Sequence, residues 1–156
     1  MFTFTYILSG SGWSEARITN DGEALTLRVS YLSDALRDLT DSMIALMRGA
    51  THASCSWQGE DVQHEYRWIF DQDNGDVHVK IVEFDSLFSR KADYQGTTIF
   101  STRCPRRRLV GQVLNQLWRL LTDLGFNGYK ERWHMHDFPL DEYRLLEALM
   151  RADGTQ

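Results

Sequence analysis

Two histidines separated by a single residue form the strongest metal-binding pattern in this sequence. On a β-strand, His134 and His136 would point to the same side. A zinc site needs several converging nitrogen, sulfur or oxygen ligands, so Cys104 or another histidine would have to join from a distant part of the chain. The spacing matches no standard zinc motif, and the flanking Trp133 and Phe138 indicate a loop packed against the core. We therefore predict no metal site and no cofactor.

A cysteine beside a histidine could supply a nucleophile and its base. Cys55 and Cys104 both fall in strand-like segments, where thiols usually pack. His52 and His64 flank Cys55 on segments that we predict to be neighbouring strands, so a Cys–His pair is conceivable. However, no glycine-rich elbow, oxyanion loop or phosphate-binding glycine motif accompanies it. We predict that the protein is not an enzyme and has no catalytic residues.

Carboxylates concentrate at two predicted turns. One is a hairpin built on Asn74-Gly75, the dipeptide that most strongly indicates a type I′ turn. This hairpin is not an EF-hand calcium loop, because its glycine is one position early and Val82 stands where the loop requires glutamate. The other turn carries two adjacent carboxylates, which point apart and do not suit glycosidase-like acid–base catalysis. We interpret both turns as a partner-binding surface for a basic protein, with ordinary solubility as the alternative. The candidate residues are Glu60, Asp61, Asp71, Asp73 and Asp76.

The formal net charge of −5 is distributed unevenly. Residues 1–100 carry eight Lys/Arg against fifteen Asp/Glu, whereas residues 101–156 carry nine against seven. Because duplex affinity comes largely from neutralised phosphates, the acidic part argues against nucleic acid as the main ligand. It is compatible with a basic protein partner.

A group of arginines at the start of a predicted C-terminal helix is the exception to this acidity. They lie at the end of the helix that disfavours positive charge. We interpret them as a helix start neutralised by carboxylates on neighbouring loops. A phosphate or RNA contact is the alternative, and it lacks an interleaved aromatic platform. The four residues are Arg103, Arg106, Arg107 and Arg108.

Composition and length favour a compact cytoplasmic protein. The chain has 156 residues, of which 42% are hydrophobic and 25% charged, values close to the globular average. No run approaches the roughly 18 apolar residues of a membrane helix. Residues 1–6 have no basic region ahead of an apolar run, so we do not expect them to be a secretory signal. Two cysteines fit a reducing compartment. We predict a single α+β domain over residues 1–152 and a disordered tail over residues 153–156.

Hydrophobic periodicity predicts the elements that position these residues. Alternation typical of strands occurs in seven segments, and helical spacing occurs in three. The predicted strands cover residues 2–8, 13–19, 25–31, 53–57, 64–70, 77–84 and 97–104. The predicted helices cover residues 33–48, 109–124 (ended by Gly125) and a last segment from Pro139. Residues 85–96 show no period, which indicates an exposed loop. The fold class is α+β: an antiparallel sheet of about six to seven strands packed against one mid-chain helix and two C-terminal helices.

Three short stretches resemble a family of small bacterial proteins. They are Gly12-Trp13 with Ser30-Tyr31-Leu32-Ser33-Asp34-Ala35-Leu36; Tyr66-Arg67-Trp68; and Gly128-Tyr129 with Trp133 and Phe138-Pro139. Some proteins of this size and composition look like immunity partners of polymorphic or contact-dependent toxins. The resemblance implies a protein that neutralises one cognate toxin domain, often a nuclease, inside the producing cell, and it supplies no catalytic residues to carry over.

Together, these features predict an immunity protein that binds a cognate basic toxin domain. The alternative is a structural or regulatory homo-oligomeric module without enzymatic activity, which would pair through an exposed strand edge or the C-terminal helices. Nucleic acid and membrane are not expected as ligands. Both a monomer and a homodimer are compatible with the sequence.

Overall fold

The computed structural model describes residues 1–59 and 62–154, which form seven strands and three α-helices. The strands are β1 (Thr3–Gly10), β2 (Trp13–Asn20), β3 (Glu23–Ser30), β4 (His52–Gly59), β5 (His64–Asp73), β6 (Asp76–Phe84) and β7 (Thr97–Pro105). The helices are α1 (Ala35–Met47), α2 (Arg106–Trp133) and α3 (Leu140–Gly154). The predicted α+β class, the number of strands and the number of helices are confirmed. Across this part of the chain, no helix combines the length and hydropathy needed to cross a bilayer.

The strands form two antiparallel sheets instead of the one sheet that the sequence predicted. Their orders are β1-β2-β3 and β4-β5-β6-β7, and α1 separates them along the chain. The Asn74-Gly75 turn lies where the sequence predicted it and joins β5 to β6, and a second tight turn, Asp21-Gly22, joins β2 to β3. All four turn residues have positive φ, between 49° and 87°, as a type I′ turn requires. Local turn signals therefore fixed the hairpins, whereas the division into two sheets depends on long-range packing.

The core lies where the inner faces of the two sheets meet beneath the helices. Alternate residues of β1 point inward, and two of them contact tryptophans of the second sheet. The Phe4 ring lies 6.0 Å from Trp68 and the Tyr6 ring 5.9 Å from Trp57, both edge to face. Trp57 Nε1 donates to the carbonyl oxygen of Ala35, the first residue of α1. The aromatic core therefore sets the position of α1.

Helix α2 covers the open edge of β1 with polar side chains. Gln112 Oε1 and Gln116 Oε1 accept hydrogen bonds from the backbone N–H groups of Phe4 and Tyr6, each at 3.1 Å. Arginines of the same helix donate to carbonyl oxygens of β1: Arg108 to Phe2, Arg119 to Tyr6 and Arg132 to Leu8. An edge strand normally offers such groups to a pairing partner. This edge is therefore already occupied.

The C-terminal helices are interrupted once and extend further than expected. Gly125 has φ 68° and ψ −178°, so the regular part of α2 stops at the glycine that the sequence predicted as its end. Helix α3 continues to Gly154, two residues beyond the predicted end of the domain. Asp153 in its last turn contacts Arg107 at 2.7 Å and Arg106 at 3.4 Å. Residues 155 and 156 lie outside the described part of the chain.

Candidate functional site

The predicted acidic turns are only partly within the described structure. Asp71, Asp73 and Asp76 are exposed around the β5–β6 turn, whereas Glu60 and Asp61 lie outside the described residues. Asp71 Oδ1 is 2.7 Å from His52 Nδ1, and Asp76 Oδ2 is 3.5 Å from Arg103. Within residues 1–59 and 62–154, Asp73 has no ion-pair partner. Two of these three carboxylates therefore already face a basic side chain of their own chain.

The arginine group at the start of α2 makes contacts within the protein. Arg106 and Arg107 share Asp153, and Arg103 contacts Asp76. Arg108 Nε donates to the carbonyl oxygen of Phe2 at 2.8 Å. Three of the four arginines therefore contact carboxylates, although Asp153 belongs to α3 and not to a neighbouring loop as predicted.

The geometry does not bring His52, Cys55 and His64 together. His52 lines the same groove as Cys55, between α1 and β4. Cys55 pairs with Trp68 of β5, however, and His64 lies four residues from Trp68, about 13 Å along a strand. Burial raises the pKa of the Cys55 thiol, and the nearby Asp38 and Asp41 raise it further. Burial likewise raises the pKa of Cys104 to about 12. Both thiols are therefore held in their weakly nucleophilic form.

His134 and His136 both contact Tyr31, but they contact different groups of that residue. The His134 ring packs edge to face on Tyr31, with 6.1 Å between centroids. His136 Nε2 lies 2.9 Å from the carbonyl oxygen of Tyr31, and its Nδ1 lies 3.7 Å from Asp34 Oδ2. In the described ranges, no group of three His, Cys, Asp or Glu side chains is arranged to hold a metal ion.

The structure reveals an acidic surface on α1 and α3 that the sequence did not single out. Residues 34, 38 and 41 are spaced by four and three, so they share one side of α1. Asp38 and Asp41 line the groove between α1 and β4, and carboxylates of α3 and of the connection before it line a second groove together with Asp34. We call this surface the acidic face, and its members are Asp34, Asp38, Asp41, Asp137, Asp141 and Glu142. Two cations lie among them: Arg37 contacts Glu142 at 3.1 Å, and Lys130 contacts Asp137 at 3.0 Å.

The carboxylates of α1 are harder to ionise than a carboxylate in water. Burial, followed by repulsion from Asp34 and Asp41, raises the pKa of Asp38 to about 6. The pKa of Asp41 is raised by burial and by Glu142. Burial also raises the pKa of Asp34, although His136 and Arg37 oppose that shift. Burial is the largest cause of each shift, and repulsion from neighbouring carboxylates adds to it at Asp38 and Asp41.

A second unusual feature is the loop of residues 85–96 between β6 and β7, which we call the clamped loop. It lies over the outer side of the second sheet and is held there by Glu65 and Arg67. Arg67 donates to the carbonyl oxygens of Ser89 (3.2 Å) and Lys91 (2.8 Å). Glu65 Oε1 accepts the backbone N–H of Ser89 at 2.7 Å. The Arg67 guanidinium also stacks 4.2 Å from the centre of the Phe84 ring.

The clamped loop exposes two aromatic side chains. Phe88 is 57% exposed and Tyr94 is 87% exposed. Phe88 has φ 48°, a left-handed conformation that is rare for a bulky residue, and its N–H donates to Gln58 Oε1 at 2.8 Å. The sequence predicted only an exposed loop here. The charged pair Glu65 and Arg67 within a strand was the available signal that something covers this side of the sheet.

Comparison with known proteins gives one distant structural match. No family model matches the sequence, and no curated protein matches it. The chain is similar to a chain of the CdiA-CT/CdiI toxin and immunity complex from Enterobacter cloacae, with a TM-score of 0.46 and 12% sequence identity. The match covers 74% of this chain and 98% of that chain. A similarity at this level carries no argument about function, so function has to be inferred from the residues themselves.

Proposed function

We propose that this chain is a binding protein that neutralises a basic toxin domain by direct contact through the acidic face. The observation that carries the proposal is the clustering of six carboxylates on α1, α3 and the connection before α3, where Arg37 and Lys130 supply only two formal positive charges. Such a surface is stabilised when an external cation approaches, because the cation favours the ionised carboxylates. A toxin that acts on nucleic acid needs a cationic surface of its own, which would complement this face. The choice of a toxin as the partner follows from the sequence resemblance described above.

A non-enzymatic role is part of the proposal. The two thiols have raised pKa values, which disfavour the thiolate. The acidic face carries six carboxylates but only one arginine and one lysine among them, and this excess of negative charge suits an electrostatic docking surface. These features support binding and supply no activated nucleophile.

Binding to a cationic partner has a characteristic pH dependence under this proposal. The free protein binds a proton at Asp38 with a pKa of about 6, and a docked cation lowers that pKa. Association near pH 6 therefore releases protons, and affinity falls as pH decreases from 7 to 5. Added salt also weakens association, because it screens the attraction.

The proposal is tested with the protein encoded immediately upstream of this chain's gene. That protein is expected to arrest growth when expressed alone and to be neutralised when this chain is co-expressed. Calorimetry then compares the wild type with two matched variants that each lose negative charges, Asp38→Asn/Asp41→Asn and Asp71→Asn/Asp73→Asn. The first variant is expected to bind at least about tenfold more weakly, and the second to bind as the wild type does.

Each result of this comparison has a distinct meaning. If the upstream protein is neither toxic nor bound, the toxin-neutralising function is wrong. If it is bound but only the Asp71/Asp73 variant loses affinity, the function stands and the docking surface is the β5–β6 turn predicted from the sequence. Unchanged affinity in both variants would remove electrostatic docking on either surface.

A further inference from the structure

The clamped loop is held by contacts that do not maximise stability. Glu65 is 2% exposed, and Arg67 forms an ion pair with it at 3.0 Å. Buried ion pairs are often no more stabilising than the apolar residues that could replace them, because desolvation offsets their attraction. Phe88 is in a left-handed backbone conformation, which is unfavourable for a bulky residue. Structural stability alone therefore gives no reason for this arrangement.

The arrangement does place two aromatic rings in solvent on a rigid support. The Phe88 and Tyr94 side chains are mostly exposed, while the backbone around them is bonded to Gln58, Glu65 and Arg67. Exposed aromatic residues supply much of the binding energy in protein interfaces. A loop that is already ordered loses little further conformational entropy on binding. These are the properties of an interaction surface.

The charges on the clamped loop indicate which partner it fits. Residues 85–96 contain two acids and two bases, so the loop is neutral in a chain of net charge −5. Asp85 pairs with Lys91, and Asp93 pairs with Arg67. Two copies of an acidic protein repel each other, and the repulsion is weakest where two neutral surfaces approach. In a two-fold interface the same patch meets itself, and a patch with both signs of charge is compatible with that symmetry.

We propose that the clamped loop is a self-association surface, through which two copies of this chain pair about a two-fold axis with Phe88 and Tyr94 at its centre. A single loop buries a small area, so the dimer is weak, with a dissociation constant on the order of 10–100 μM. The acidic face remains outside this interface and free to bind another protein. Because the repulsion between the two acidic copies is screened by ions, salt strengthens the dimer. Salt has the opposite effect on the proposed binding of a basic partner.

Sedimentation equilibrium of the purified full chain tests this proposal. The wild type is compared with Phe88→Ala/Tyr94→Ala and with Trp118→Ala, a control on α2 whose 59% exposure matches the 57% of Phe88. The loop variant is expected to dimerise at least about tenfold more weakly, whereas the Trp118 variant is expected to match the wild type. Circular dichroism confirms that each variant is folded. Chemical shifts of the Phe88 and Tyr94 amides, followed as wild-type concentration rises, report the interface without any substitution.

Several outcomes would overturn the proposal. One is a wild type that stays at its monomer mass of 18.2 kDa throughout a concentration range extending well above 100 μM. Another is a dimer that the loop variant leaves unchanged, or that the Trp118 variant weakens equally. Concentration-dependent shifts confined to other residues would also contradict it.

Discussion

The ionised form of Asp38 destabilises the folded protein. Its pKa of about 6 in the folded state lies above the ordinary aspartate value of 3.8, mainly because of burial. The folded state therefore binds the proton more tightly than the unfolded chain does. Stability from this group is fully present below about pH 4 and is lost as pH rises towards 6.

Replacing Asp38 with asparagine is expected to stabilise the protein at neutral pH. The Asp38→Asn variant should gain about 1 kcal/mol in free energy of unfolding at pH 7, because the neutral amide removes the unfavourable ionised state. At pH 4 the gain should vanish, since the carboxyl group is then protonated in the folded protein. Urea denaturation at both pH values measures this, with Asp73→Asn as the exposed control. Equal effects at pH 4 and pH 7 would show that ionisation of Asp38 is not the cause.

Single residues also show what the sequence could and could not predict. The positive φ angles of Asn74 and Gly75 follow from residue type, and the sequence placed this turn correctly. The positive φ of Phe88 has no local signal, and the hydrogen-bond acceptor that holds its N–H is Gln58, which lies on a strand 30 positions earlier in the sequence. The acidic face likewise brings α1 together with α3, and no local pattern reports that contact.

At the scale of elements, α2 was predicted from its apolar stripe, but its role towards β1 was not. Leu109, Val113 and Leu117 are buried as their spacing predicts. Gln112 and Gln116 lie beside that stripe. In the sequence, a polar residue at such a position looks the same whether its side chain faces water or the edge of a strand. Only tertiary packing shows that these two amides bond to the backbone of β1. The sequence analysis gave a homo-oligomer that pairs through an exposed strand edge as an alternative. The edge of β1 is not available for such pairing.

The bond between Gln116 and β1 makes a specific contribution to stability. Gln116→Ala leaves the buried N–H of Tyr6 without its partner, and an unsatisfied buried group costs about 1–3 kcal/mol. Asn115→Ala, an exposed change on the same helix, is expected to alter stability by less than about 0.5 kcal/mol. Urea denaturation compares the two variants with the wild type. If both alanine variants are as stable as the wild type, the closure of β1 by α2 does not stabilise the fold.

At the scale of the whole molecule, hydrophobic alternation identified the seven strands but could not decide which strands pair. An alternating strand has the same pattern in a single sheet as in two. The arrangement is set by the aromatic contacts between the sheets, Phe4 with Trp68 and Tyr6 with Trp57. Each of these pairs joins residues more than 50 positions apart in the sequence.

This shared core makes cooperative unfolding the expected behaviour of the molecule. One hydrophobic cluster draws buried residues from both sheets and from α1, α2 and α3, so neither sheet retains its apolar contacts when the other opens. Unfolding in urea should therefore be two-state, with coincident transitions by tryptophan fluorescence and far-ultraviolet circular dichroism. Native-state hydrogen exchange gives the finer measurement, because amides of β2 and of β5 should share one opening free energy, close to the global value. If the opening free energy of β2 amides were several kcal/mol lower than that of β5 amides, the first sheet would unfold separately. Residues 1–152 would then behave as two cooperative units instead of the single domain predicted from the sequence.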